Sequence, residues 1–474
     1  MDKASFARPK LTLLNSAQIA QIHAASLDIL STVGVRVDSA AGRRILGRAL
    51  GTPVDDERVR IPPDLVEHAL ASAPAIVDLY DQHGDPAFRL GTGEARFGVG
   101  VTALTYQDPE TGEVTPFTRR HFRTVVRLGD ALPSFDAVST VGVIQDHPPE
   151  VADLYAALEM AANTTKPLVL LVSDEDRFGD VLDLLEHLGG DLVERPFAIP
   201  YFNPITPLVI NAGTVDKMEI AIGRGLPIIY SNYAMIGATT PITPAGTLAL
   251  LNAELLAGLV LSQLMREGTP VVLGSLPTSF DMRGMGSFYT PPGYLVSLAC
   301  AEMMAHYGLP HCGTSGSGVG WGPGLVAAGH QWMNHLLACM GSMEFAPFVG
   351  DDLGAKALSP AIVVYANEVI ERARRVARGF ALDEDAIGLD EIAEVGPGGT
   401  FLITDRTLAL FREAYTPSQI LPNLTLEAWQ ERGSPSPEAE LRRHTRDLIA
   451  GLEPPEKHEE LVGRGEAFIQ TLAE

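Results

Sequence analysis

The sequence predicts a single soluble α/β chain: a (β/α)8 TIM barrel with N-terminal and C-terminal helical extensions. Two observations point there. Short apolar runs alternate with longer amphipathic runs through most of the chain, which is the mark of parallel βαβ units. Counting the run ARFGVG as the first strand gives eight such units, enough to close a barrel. The competing architecture is an open doubly wound sheet, and no GxGxxG lies between a strand and a helix to favour it.

Taken in order, residues 1–75 read as a helical extension. Ser16 starts a stretch with Ile19, Ile22, Leu27 and Leu30 at helical spacing, ending near Gly34, and Pro62-Pro63 opens another helix. Residues 76–380 read as the barrel. Its first part, 76–117, consists of strands and turns, with DPETGE (108–113) as a hairpin signal, because Pro and Gly supply the turn angles. The later strands are placed at 135–144, 167–173, 197–203, 227–233, 270–275, 310–314 and 345–350. The helices are placed at 118–131, 149–163, 175–188, 213–224, 243–267, 292–307, 324–343 and 359–379. The helix at 243–267 is framed by Thr243 as cap, Pro244 at its first position and Gly268 after it. It is apolar on nearly all sides and so is expected to be buried. Residues 381–474 read as a more charged helical extension packed on the barrel.

The formal charge of −24 argues against nucleic-acid binding, which needs clustered Lys and Arg, and is compatible with basic partners or cationic substrates. The three cysteines, Cys300, Cys312 and Cys339, form no CxxC, and there is no HExxH, so no metal site is assigned. A His330/His335/Cys339 site is conceivable, since His335 and Cys339 are four apart, although His330 and His335, five apart, fall off one helix face. No secretory h-region is present. The nearest approach to a membrane span, Leu248 to Leu264, is broken by Asn252, Glu254, Ser262 and Gln263, so a cytoplasmic, reduced protein without membrane contact is expected.

Catalytic side chains of a barrel come from strand ends and the loops after them. Those positions give the expected substrate-binding set: Tyr106, Tyr201, Phe202, Asn203, Tyr230, Asn232, Tyr233, Arg283, Tyr289, His311, Ser315 and Trp321. The set is rich in aromatics and amides, and it lacks a nucleophile–base pair, leaving the catalytic residues unassigned. Aromatic faces lining one mouth hold a quaternary ammonium; the same rings are also compatible with ordinary half-buried packing. The loop GTSGSGVGWGPG (313–324) is glycine-rich without Lys. A Gly-rich loop before a helix can cradle phosphate, but this one does not match a P-loop, and its flexibility suits a lid or a docking surface equally.

The stretch GLPIIYSNYAMIGATTPITPAGTLALLNAELLAGLVLSQLMREGTPVVLGS (225–275) resembles the core of the trimethylamine:corrinoid methyltransferase family, in its non-pyrrolysine, glycine betaine methyltransferase-like branch. YFNPITPLVIN (201–211), HYGLP (306–310), DEIAEVGPGGTFL (390–402) and YTPSQI…LEAWQERG (415–433) resemble it as well. The resemblance implies a homo-oligomeric barrel that moves a methyl group from a quaternary or other methylated amine to the Co(I) of a separate corrinoid protein. The corrinoid (cobalamin) would come with that partner, and no cofactor would be held tightly by this chain. Since no pyrrolysine is present, the resemblance points to a betaine-like substrate, with Arg283 either a partner for its carboxylate or, equally, a member of a structural salt bridge. Three stretches depart from the family pattern: TPPGYL with Gly293, SGVGWGPGLVAA (317–328), and FLITDRT with Arg406. All three are expected at or near the mouth. The alternatives are a diverged barrel that binds a small ligand without methyl transfer, and a barrel enzyme for a phosphorylated small molecule.

Overall fold

The computed structural model describes residues 6–54, 56–314, 318, 320–415 and 417–473. Eight parallel strands close on one another: β1 (Arg96–Val99), β2 (Ala137–Ser139), β3 (Leu168–Leu170), β4 (Ala198–Phe202), β5 (Ile228–Ile236), β6 (Val271–Asp281), β7 (His311–Cys312) and β8 (Phe345–Val349). Each pairs with its neighbour in sequence, and β8 pairs back onto β1, so the sheet has no free edge. A helix follows each strand, as the alternating pattern predicts, and the open-sheet alternative is excluded.

Strand residues alternate between two cores. Ala137, Val169, Ile199, Ile229, Val272, Cys312 and Phe345 fill the interior. Their neighbours Val138, Leu168, Ala198, Ile228 and Leu273 face the helices. An antiparallel hairpin, Val77–Tyr80 with Pro86–Leu90, stoppers the N-terminal end. Its Phe88 ring lies 5.8 Å from Phe345, and Val77, Leu79 and Leu90 join the same interior cluster. That end is closed, which leaves the C-terminal mouth for function.

Helix Pro244–Met265 is long and apolar enough to cross a membrane, but most of it is buried inside the protein. Its uniform hydrophobicity follows from having neighbours on every side: β5 and β6 beneath it, and helices Ser16–Asp28, Pro63–Ser72 and Pro291–Tyr307 around it. The N-terminal extension is pinned by Glu302, whose carboxylate accepts the Leu13 and Leu14 amides at 2.6 and 2.7 Å.

Two elements differ from the sequence expectation. β6 does not stop near residue 275. The β5–β6 ladder continues to Ile236 and Ser279, and β6 then turns back through Gly286–Phe288, forming an arm beyond the rim. The C-terminal extension is only partly packed. Helices Pro437–Ala450 and His458–Ala473 bury Leu441, Thr445 and Ile469, whereas the four helices between 384 and 431 contain no buried residue.

Candidate site at the barrel mouth

Strand parity decides which side chains reach the mouth. On β4, Tyr201 continues the inward row of Ile199, and on β5, Ser231 continues that of Ile229. The Tyr201 ring meets Phe348 edge-to-face at 5.0 Å. Its hydroxyl lies near Cys312, Ser231, Asn203 and Tyr289, without a hydrogen bond of good geometry to any of them. The Ser231 hydroxyl is likewise fully buried, and it has no hydrogen-bond partner among the described residues. Asn203 closes the end of β4: its amide donates to the Ser231 carbonyl at 2.8 Å, and its own carbonyl accepts from the Thr214 hydroxyl at 2.7 Å. Higher on the wall, the Tyr233 hydroxyl donates to Ser287 at 2.7 Å, and Tyr289 stacks with Tyr294 at 6.4 Å. Burial raises the Tyr201 hydroxyl well above its ordinary range and pushes the Cys312 thiol up, so both stay neutral.

Tyr201, Asn203, Tyr233 and Tyr289 therefore gather at one end of the barrel. The other expected residues do not join them. Phe202 and Tyr230 have the opposite parity and point into the helix layer. Phe202 packs on Phe178 at 5.7 Å, and Tyr230 is fully buried against Gly258, where a side chain would overlap its ring. Asn232 shares the parity of Tyr230 and donates to the Leu251 carbonyl and the Glu254 carboxylate, both at 3.0 Å. His311 is one residue out of phase with inward Cys312. It is buried, its ring nitrogens have no hydrogen-bond partner among the described residues, and burial lowers its pKa to about 3. Tyr106 stacks on His121 at 4.1 Å within the outer core. Trp321 is 94% exposed and forms no wall. Arg283 is exposed on the turn of the β6 arm, its amide bonded to Asp281. Ser315 lies outside the described residues. Of the three departures, Arg406 is not at the mouth; it pairs with Asp385 and Glu391 in the C-terminal helices. His330 bonds Tyr294 and His335 bonds Gln331, each at 2.7–2.8 Å, and they form no metal cluster with Cys339 among the described residues.

Two buried acids were not singled out as site residues by the sequence. Glu254, on the helix behind β5, accepts the Leu208 amide at 2.6 Å, the Thr206 hydroxyl at 2.9 Å and the Asn232 amide at 3.0 Å. It thereby fixes the 203–211 loop that carries Asn203. Burial raises its pKa to about 7 against those hydrogen bonds. Asp351, just past β8, accepts the Gly318 amide at 2.7 Å, and burial raises it to about 7 as well. Gly318 lies so close to this strand that a side chain there would strike the Asp351 and Asp352 backbone. Carboxylates already occupy this ground, which disfavours a phosphate cradle there.

A family model described as trimethylamine methyltransferase (MTTB) matches residues 3–472. The chain is 28% identical over 474 residues to the glycine betaine methyltransferase of Desulfitobacterium hafniense (strain Y51), covering 97% of each protein. It is 29% identical over 423 residues to trimethylamine methyltransferase MttB of Desulfitobacterium hafniense (strain DSM 10664 / DCB-2), covering 87% of this chain and 84% of that one. In fold it is similar to the Methanosarcina barkeri monomethylamine methyltransferase (MtmB), with a TM-score of 0.56 at 10% identity, over 94% of this chain and 89% of that one.

Proposed function

The chain belongs to the trimethylamine methyltransferase family, and we propose that it removes a methyl group from a quaternary amine, betaine-like in character, and passes it to the Co(I) of a separate corrinoid protein. What carries this reading is the gathering of hydroxyl and aromatic groups, Tyr201, Ser231, Tyr233, Tyr289 and Phe348, at the C-terminal end of a barrel matched to that family almost throughout.

The chemistry suits such groups. A quaternary nitrogen leaves as a neutral amine, so bond breaking needs no general acid. The protein has to orient the cation and keep water away from the reacting carbon. The Tyr201–Phe348 pair offers an apolar floor, and the Tyr233 and Tyr289 rings offer faces for the positive charge. The Tyr201 and Ser231 hydroxyls have unused hydrogen-bonding capacity for the polar end of a zwitterion, a role that the outlying Arg283 does not fill. The corrinoid, when bound, supplies the electron pair for the new bond to the methyl carbon.

The rim fits a docking partner. Exposed apolar side chains come from the connections after several strands: Leu104 after β1, Ile205 after β4, Ile242 after β5, Met282 on the β6 arm, and Trp321 and Leu325 after β7. A corrinoid protein pressed onto this ring would also seal the mouth from water. The free thiols, two of them buried, accord with a reducing cytoplasm.

Calorimetric titration and thermal shift with glycine betaine, other betaines, choline and phosphorylated small molecules test the reading. A betaine is expected to bind and raise the melting temperature. A shift with a phosphate compound alone would overturn it.

A further inference from the structure

A second exposed apolar surface lies in the C-terminal extension. Between residues 380 and 415, twelve large apolar side chains are 45–77% exposed, among them Phe380, Leu389, Leu402, Ile403, Leu408 and Phe411. The helices Glu384–Ile387, Leu389–Val395 and Asp405–Ala414 carry six of them, the turn at 401–403 three more, and none of the three helices has a buried residue. Phe401, Leu410, Phe411 and Tyr415 border a groove of about 550 Å³. A fully buried aromatic covers roughly 150–250 Å², so twelve half-exposed residues present on the order of 1,000 Å². Monomers rarely carry an apolar patch larger than roughly 300–600 Å². A stable protein interface takes about 800 Å² from each partner.

The place of this surface narrows what covers it. The preceding helix, Pro360–Arg378, runs down the barrel, and near its end Arg374 bonds the carbonyls of Ala95 and Ser134 and the carboxylate of Asp136, just before β1 and β2 begin. Phe380–Ala381 then pairs with Phe6–Ala7, and Arg375 bonds the Glu413 carbonyl. The apolar helices thus lie at the N-terminal end, away from the mouth where a methyl acceptor must approach. We propose that residues 380–415 are the self-association surface of this chain, buried against a second copy, leaving both barrel mouths free. The segment also holds eight acidic residues against two arginines, Arg406 and Arg412. Two copies brought together therefore repel at the edges of the contact, and salt, which screens that repulsion, tightens the pair. A basic partner on the same surface would be loosened by salt.

Sedimentation velocity and light scattering on the full chain test this. The expected mass is at least twice the 50.7 kDa of one chain. It should fall to one chain in Leu402→Glu/Ile403→Glu and remain unchanged in Trp321→Glu/Leu325→Glu at the other end. Dissociation should become harder as salt rises. If the 402/403 variant fails to fold, hydrogen exchange on the native chain serves instead, with amides of 389–411 gaining protection as concentration rises. A 50.7 kDa species at every concentration and salt, or association that survives the 402/403 change in a folded protein, would overturn the proposal.

Discussion

Replacing Glu254 by Gln should flatten one component of the protein's pH-dependent stability. The carboxyl is buried behind β5, and burial lifts its pKa from 4.5 to about 7, opposed by hydrogen bonds from Leu208, Thr206 and Asn232. Because the folded-state pKa is raised, its contribution is fully present below pH 4.5 and is lost as pH rises through 7. The displacement corresponds to about 3 kcal/mol. Between pH 5 and pH 8.5 the wild-type melting temperature should fall by several degrees relative to the Glu254→Gln protein. Thermal melts followed by circular dichroism at matched ionic strength give the comparison, and taking the difference between the proteins cancels other titrating groups such as Asp351. Parallel wild-type and variant curves across that range would refute the assignment of a buried, neutral acid to this position.

Other outcomes follow from the same contacts. Tyr230→Phe removes a fully buried hydroxyl with no partner among the described residues, so stability should hold or rise by about 1 kcal/mol, with ligand binding unchanged. A large loss in a thermal melt would show that the hydroxyl is bonded. Tyr201→Phe and Ser231→Ala should each weaken betaine binding about 5- to 10-fold by calorimetry, the worth of roughly 1 kcal/mol, while the fold persists. Glu159 is completely buried, with Arg119 at 2.6 Å and Arg123 at 2.9 Å, and Arg119 also reaches Glu466 on the last helix at 2.9 Å. Burial alone would raise this carboxyl, but the two guanidiniums outweigh it and hold its pKa below the usual value. Glu159→Ala should therefore cost about 3–5 kcal/mol in denaturant melts. His311 and His335, both lowered to about 3 by burial, should make the fold lose stability as pH drops below 6.5. An acid limb unchanged in a folded His311→Gln variant would count against that.

The barrel was legible in the sequence because its helices and strands differ in length and period, and the strands at 198–202 and 345–349 fall almost where their apolar runs do. The orientation of each strand was not. Tyr201 and Phe202, or Tyr230 and Ser231, are equally buried because barrel strands are covered on both faces. Hydropathy therefore carries no alternation to separate inward from outward residues, and only the pairing of Tyr201 with Ile229 and Phe202 with Tyr230 sorts them. Ser231 was passed over beside three larger neighbours for the same reason. The β6 arm was hidden because its strand runs past the rim into the polar turn around Arg283. Trp321 shows the other limit: an aromatic in a glycine-rich loop signals a wall or a docking side chain equally, and its near-complete exposure decides for the surface.

Methyl transfer itself is the most direct test. The purified chain is mixed with glycine betaine carrying a ¹³C label on its N-methyl groups and with Co(I) corrinoid, free or protein-bound, and the label is followed by NMR. Label should leave nitrogen for the corrinoid, one methyl per turnover, with dimethylglycine as the second product and a slower rate in Tyr201→Phe. Label that stays on nitrogen with betaine and every other quaternary amine offered, while the chain is folded and the corrinoid is reduced, would contradict the account.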